Sequence, residues 1–241
     1  MTPTREERLR RMAALLSHEQ MEKLQAAHVM VFGLGGVGGY AAEALARAGV
    51  GRLTLVDGDT VAASNLNRQL AALSSTVGAS KAEVTRLRLQ DAAPDALIEA
   101  VPAFYLPDNP LPIPAACDAV LDAVDMVTAK LHLATTCRRL QVPLISCMGM
   151  GNRMDPTKIR IGDIFETSGC PLCRVMRREL RRLGVPELRC VYSVEEAAKP
   201  RPQAGTEKKG GHPAPGSLSF VPSVAGLYMA YEAVRQICGL P

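Results

Sequence analysis

The chain has 241 residues, 47% of them apolar, with a formal net charge of +4; Trp is absent and Phe and Tyr are few, so one sizeable core must be built mainly from aliphatic side chains and Met. No run of about 20 apolar residues exists to span a bilayer, since Glu232 and Arg235 interrupt the nearest candidate, and the charged N-terminus has no apolar leader. The expectation is a cytoplasmic protein with no membrane partner, whose seven cysteines are free thiols.

In chain order, residues 8–27 read as helix because Leu9, Met12, Leu15, Leu16 and Leu24 fall near helical spacing. Ser17 with Gln20 makes a capping box for a second helix. Residues 29–32 are a buried-strand run, 36–48 a helix of small residues, and 52–57 the next strand. Helix is expected over 81–90 and a short strand over 97–101. A Pro-rich loop leads to a strand over 119–122, a helix over 128–140 and a strand over 144–148. Residues 158–164 alternate like an exposed strand. Residues 171–183 are strongly helical, with Pro171 suited to the first turn, and 189–194 return to strand. Residues 199–215, rich in Pro, Gly and Lys, read as a mobile loop; 217–221 read as strand, and a final helix follows. This alternation predicts an α/β fold, a Rossmann-like, doubly wound, mainly parallel sheet with a C-terminal mixed-strand extension. One domain is expected, divided into N-terminal helices (1–27), a nucleotide-binding core (28–150) and a C-terminal part (151–241).

Gly33-Leu34-Gly35-Gly36-Val37-Gly38 follows a strand and opens a helix. In that setting Gly33 permits the tight turn, Gly35 lets backbone approach a phosphate, and Gly38 lets the helix sit close to the strand. The helix start adds unpaired N–H groups and a positive dipole end. Asp57, about 20 residues on and followed by Gly58-Asp59, is placed for ribose hydroxyls. Glycines serving only packing are the bland alternative, and the fit at both ends outweighs it. The fingerprint alone favours NAD and does not identify the nucleotide.

Three further residues favour ATP. Arg68 stands in Ser64-Asn65-Leu66-Asn67-Arg68-Gln69, Lys81 follows Val77-Gly78-Ala79-Ser80, and Asp125 lies just past the strand carrying Asp122. Attack at the α-phosphorus of a triphosphate needs cations on its non-bridging oxygens and a divalent ion on the leaving pyrophosphate. Arg68 and Lys81 can supply the first, and Asp125 can hold Mg²⁺ together with waters. Each residue alone is more simply a solvated cation or a helix cap. With the glycine loop, the set points to adenylation of a carboxylate.

These runs resemble the ThiF/MoeB superfamily of ubiquitin-activating-like adenylating enzymes, over nearly the whole chain. The narrower likeness is to the tRNA threonylcarbamoyladenosine dehydratase branch. It is carried by Arg8-x-x-Arg11, Met148-Gly149-Met150-Gly151-Asn152, Asp155-Pro156, Cys170-Pro171-Leu172, Val191-Tyr192-Ser193 and Gly216-Ser217-Leu218-Ser219-Phe220. The resemblance implies a single ThiF-type adenylating domain. ATP would activate the carboxylate of threonylcarbamoyladenosine next to the tRNA anticodon, and the carbamoyl group would then close a ring and expel AMP. It further implies that Gly35, Gly36 and Gly38 cradle phosphates and that Asp57, with Asp59 nearby, holds the ribose. Asn65, Arg68 and Lys81 would contact the triphosphate, and Asp125 would bind Mg²⁺. Arg11 matches an arginine that in relatives reaches the partner subunit's ATP site, which implies a homodimer. A sulfur-relay protein is a further partner to test.

Cys170-Pro171-Leu172-Cys173 is a CxxC with no second pair, so four tetrahedral ligands cannot be assembled from spacing and structural zinc is not expected. Cys147, Cys170, Cys173 and Cys190 have no indicated base, which disfavours a catalytic thiol. Arg174, Arg177, Arg178, Arg181 and Arg182 recur at helical spacing on one face suited to RNA phosphates; the bland reading is a solvated amphipathic helix. Lys199, Arg201, Lys208, Lys209 and His212 would add contacts from the loop. The rival functions are a MoeB/ThiF-type adenylyltransferase acting on the Gly-Gly end of a sulfur-carrier protein, an NAD-dependent oxidoreductase, and a non-catalytic nucleotide-binding module.

Overall fold

Thr4 and Ser17 each start a helix by accepting a backbone N–H three residues on, while the side chain there accepts their own N–H. The computed structural model, which describes residues 3–199, 208–209, 212–213 and 215–241, therefore begins with α1 (Arg5–Leu9) and α2 (His18–Ala26). The helical run expected over 8–27 forms in two pieces, the second starting after Ser17 as its capping box with Gln20 predicted. Residues 10–15 turn, Met12 and Leu16 pack on the core, and Leu15 is left exposed. Ser17 favours a cap over a helix interior, because its hydroxyl competes for backbone groups. Arg5 and Arg8 both bind Asp95 and tie α1 down.

Seven strands form one sheet: β1 (His28–Phe32), β2 (Arg52–Val56), β3 (Leu97–Val101), β4 (Ala119–Asp122), β5 (Leu144–Cys147), β6 (Ile159–Asp163) and β7 (Arg189–Ser193). Their order is β3-β2-β1-β4-β5-β7-β6. All neighbours are parallel except β6, which runs antiparallel to β7 at the edge. This is the mixed-strand extension of a doubly wound α/β sheet, and the alternating run over 158–164 is its edge strand.

Alternation along β1 sends Val29 and Val31 to one face and Met30 and Phe32 to the other. The first face is covered by α2, α3 (Gly38–Arg47), α4 (Lys81–Ala92) and α7 (Phe220–Cys238). The second is covered by α5 (Val127–Leu140) and α6 (Pro171–Arg182). The strand expected over 217–221 is not formed. Residues 217–219 are irregular and α7 starts at Phe220, with Pro222 near its start, where a missing N–H costs no ladder bond.

Much of the loop expected over 199–215 lies outside the described residues, Arg201 included. Lys199 is exposed, and the backbones of Lys208–Lys209 and His212–Pro213 pair as a short antiparallel ladder.

Candidate functional site

The chain winds outward from β1 to β2 and β3 on one side and through β4 and β5 on the other. That reversal opens a crevice at the carboxyl ends of β1 and β4. The 33–38 turn lies there. Gly33 donates to the Val56 carbonyl at 2.8 Å, and Ala123 donates to that of Phe32 at 2.8 Å. Gly33 has φ +86°, and a Cβ there would meet Ala123 O at 2.7 Å; at Gly38 it would meet Gly33 O at 1.7 Å. Only glycine lets the start of α3 come this close to β1 and β4. No side chain caps α3, so its first N–H groups have no side-chain acceptor.

Asp57 braces the turn from the end of β2. One carboxylate oxygen accepts from Leu34 N at 2.6 Å, the other from Asp59 N at 2.8 Å, and each keeps a lone pair for a ligand hydroxyl. Asp59 is the open acid, with its side chain 55% exposed, and it binds Lys81 Nζ at 3.0 Å. Lys81 itself is buried at the start of α4. It is delivered there by backbone pairing of 59–61 with 78–81, in which Lys81 N donates to Asp59 O at 3.0 Å and Val61 N to Ala79 O at 2.8 Å. Asn65 turns its amide oxygen onto Ala62 N at 3.1 Å and fixes the turn that carries Arg68. The Arg68 guanidinium donates to Ser64 O and Asn67 Oδ1, both at 2.9 Å, and its Cγ would lie 3.3 Å from a Cβ on Gly36. Arg68 therefore rests against the glycine turn. Asp125 is exposed between β4 and α5.

One member of this edge escaped the sequence reading. Lys130, fully buried in α5, donates to both oxygens of the equally buried Asp122 at 3.1 Å and to Cys147 O at 2.7 Å. Ser146 Oγ adds a bond to Asp122 at 2.5 Å. The network joins α5 to the ends of β4 and β5. A signal was present: Lys130 shares its helical face with Leu133, Ala134 and Cys137, all buried, so a lysine there had to find a carboxylate.

Arg11 is not brought to this crevice within the chain. It is exposed two residues beyond Leu9, which packs on Gly49 in the turn before β2, at the opposite, amino-terminal edge of the sheet. Of the α6 arginines, Arg174, Arg178, Arg181 and Arg182 are exposed, whereas Arg177 is half-buried and donates to Thr167 O at 2.8 Å. Arg178 and Arg182 share Glu179, at 2.7 and 2.9 Å, and Arg181 lies 5.1 Å above the Phe165 ring. The single arginine face thus carries one brace and four exposed cations.

All seven cysteines are free and buried. Among the described residues, no three His, Cys, Asp or Glu side chains are grouped to hold a metal. Burial pushes Cys117 up to about 11 and Cys137, Cys147 and Cys190 up to about 12. Cys170 goes the other way, because it accepts hydrogen bonds from the Cys173 thiol and from backbone N–H groups.

The ThiF family profile matches residues 8–241. A tRNA threonylcarbamoyladenosine dehydratase from Bacillus subtilis is 39% identical over 232 residues, covering 92% of this chain and 91% of that protein. The Escherichia coli protein of the same name is 37% identical over 78% of this chain and 74% of its own length. Crystal structures of the E. coli dehydratase with AMP and with ATP superpose with TM-scores of 0.86 and 0.85 at 33% and 32% identity, covering 97% of this chain and 95% of theirs. A molybdopterin-synthase adenylyltransferase from Haemophilus influenzae is 39% identical, over 56% of this chain and 54% of its own.

Proposed function

We infer the function from one premise: this chain belongs to the ThiF family. Within that family it is an ATP-dependent tRNA threonylcarbamoyladenosine dehydratase. The observation that carries this reading is the dehydratase match over 92% of the chain, to which the glycine turn, Arg68 and the Asp59–Lys81 pair on one sheet edge add a physical basis.

The reaction begins with a poor electrophile, a carboxylate. Its attack on the α-phosphorus of ATP expels pyrophosphate and leaves an acyl-adenylate. The carbamoyl group of the same nucleoside then attacks the acyl carbon, AMP leaves with the former carboxylate oxygen, and the net change is loss of water. Closure within one bound nucleoside is intramolecular, so no protein nucleophile is required.

In our assignment the 33–38 turn and the start of α3 receive phosphate oxygens, and Asp57 and Asp59 receive the ribose side. Lys81 exchanges Asp59 for phosphate as charge builds, while Arg68 and Asn65 hold the polyphosphate from above the turn. Asp125 fits Mg²⁺, an ion that takes one or two carboxylates and completes its shell with waters and phosphate. When bound there, the ion would neutralise the departing pyrophosphate. The whole chain acts as one adenylating unit in the cytoplasm. No helix among the described residues is long and apolar enough to cross a membrane.

The exposed arginines of α6 are assigned to the tRNA, near its anticodon. A homodimer is supported by two features. Arg11 stands at the edge opposite its own crevice, available to a neighbour, and α7 exposes Phe220, Leu227, Tyr228 and Tyr231, an apolar stripe with helical spacing. A sulfur-relay partner is testable by co-purification with the dimer.

The test is incubation with ATP, Mg²⁺ and tRNA bearing threonylcarbamoyladenosine, followed by mass spectrometry of the nucleosides. We expect loss of one water, dependent on ATP and abolished by Asp125→Ala. An unchanged nucleoside mass, with pyrophosphate exchange promoted instead by a Gly-Gly-ending protein, would move the chain to the MoeB-type reading.

A further inference from the structure

Lys81 and Arg68 have partners on the phosphate side of the crevice. Arg153 has none among the described residues. It lies in the segment that leaves β5 at the carboxyl edge of the sheet, and it is 2% exposed. Its Nε and Nη1 atoms are buried without a hydrogen-bond partner. Glu195, the acid that reaches this segment, turns both oxygens instead to backbone, accepting from Met154 N and Asp155 N at 3.1 Å. A guanidinium taken out of water destabilises the fold unless a counter-charge arrives. The backbone around it is held on both sides. Beyond the Glu195 bonds, Asn152 exchanges two bonds of 2.7 Å with Gly216, and its carbonyl accepts from Ala198 N at 2.8 Å.

The same contacts place Arg153 beside the ATP crevice. Ser217, next to Gly216, accepts from Asn67 Nδ2 at 3.0 Å, and Asn67 precedes Arg68. Pro222 lies against the glycine turn, 3.2 Å from a Cβ on Gly36. The strand β5 stands two places from β1 in the sheet, about 10 Å across, so Arg153 faces the phosphate turn from the opposite wall.

We propose that Arg153 is a specificity-determining residue that receives the free carboxylate of the substrate nucleoside; this rests on the dehydratase function inferred above. A planar guanidinium matches the two oxygens of a carboxylate. Phosphates of ATP are provided for on the other wall by the glycine turn, Arg68 and Lys81. A carboxylate at the tip of a threonylcarbamoyl group can enter a site this closed, whereas a phosphate within an RNA backbone, flanked by two riboses, cannot. Arg153 binds and orients; it neither gives nor takes a proton. Because the carboxylate loses its charge on adenylation, the pairing belongs to substrate binding, and its loss falls on KM more than on kcat.

The test compares the full-length protein with Arg153→Gln and Arg153→Lys. Kinetics on tRNA bearing threonylcarbamoyladenosine should show KM for that tRNA raised about 10–100-fold in Arg153→Gln, the worth of one hydrogen bond to a charged group. Its kcat and its affinity for ATP alone should be nearly unchanged, and Arg153→Lys should recover part of the loss. In direct titration the unaltered protein should prefer the modified tRNA to the same tRNA without the modification, and Arg153→Gln should lose that preference. Its melting temperature should equal or exceed the parent's, since an unpaired charge has left the interior. No product from the unaltered protein would overturn the dehydratase function and this inference with it. With product formed, an unchanged KM overturns the inference alone. So does a fall in ATP affinity, which would make an ATP phosphate the ligand, or equal weakening of both tRNAs, which would make it a backbone phosphate. A much lower melting temperature would make Arg153 a structural residue instead.

Discussion

Two aspartate–lysine pairs occupy the same edge of the sheet, and their geometry barely distinguishes them. Lys130 meets Asp122 at 3.1 Å, and Lys81 meets Asp59 at 3.0 Å. Solvent separates their roles. The first pair is 1% and 0% exposed and is satisfied on every side by Ser146 and Cys147. The second joins a lysine 7% exposed to an aspartate 55% exposed, open to water on the aspartate's side. A closed pair is a strut. An open pair can release its lysine to an incoming anion at small cost, because water and phosphate replace what the aspartate gave up.

The largest effect should come from breaking the closed pair. Lys130→Met leaves Asp122 buried and uncompensated, a loss of roughly 3–5 kcal/mol, which chemical denaturation would register as a much lower midpoint. Adding Asp122→Asn should recover part of it. If Lys130→Met proves as stable as the parent, the strut reading fails.

Lys81→Ala should do the opposite. We expect catalytic efficiency to fall by about 10²–10³, the usual cost of one preorganised transition-state donor, with the melting temperature almost unchanged. A large stability loss with intact turnover would make the two pairs equivalent after all.

A further buried carboxylate, Glu232, sharpens the contrast through pH. Burial alone would raise the Glu232 carboxyl, but Arg235, Arg189 and Gln236 hold it down at about 2. Because the folded value lies below the unfolded one of about 4.3, its stabilisation is complete above that pH and fades as pH falls toward 2. It amounts to roughly 2–3 kcal/mol at neutral pH. Stability curves of the parent and Glu232→Gln should therefore converge in acid; parallel curves would remove Glu232 from the account.

The smallest effects lie on α6. Replacing Arg174, Arg178 and Arg182 with Ala should lower the log–log salt slope of tRNA binding by about 0.7–0.9 for each phosphate left without its cation. Arg177→Ala should lower the melting temperature and leave that slope alone. A reversal of these two results would exchange the brace for the RNA-facing cations.

The same contrast explains what could be read from the sequence. The glycine turn and the strand runs were legible because steric need and apolar run length are local properties. The capping box at Ser17, and with it the start of a second helix, was legible for the same reason; the turn over residues 10–15 was not, since the leucine spacing at 9, 12, 15 and 16 fits both a helix and a turn folded onto a core. Lys130 was hidden because it looks like any helix lysine until the burial of its face is known. Arg177 was misgrouped because its partner, Thr167, lies one turn before the helix begins. The 217–221 segment has strand-like residues, and Pro222 signalled a helix start that its neighbours masked. What stayed out of reach depended on which surfaces meet.

The order of β7 and β6 in the sheet has a consequence for synthesis. β6 emerges from the ribosome first, yet its ladder is with β7, which is inserted between it and β5. Until Arg189–Ser193 has been made, β6 has no seat and the outer edge of β5 lies open to any other unpaired strand. The strand that completes the sheet also ends the interval in which one nascent chain is open to pairing with another.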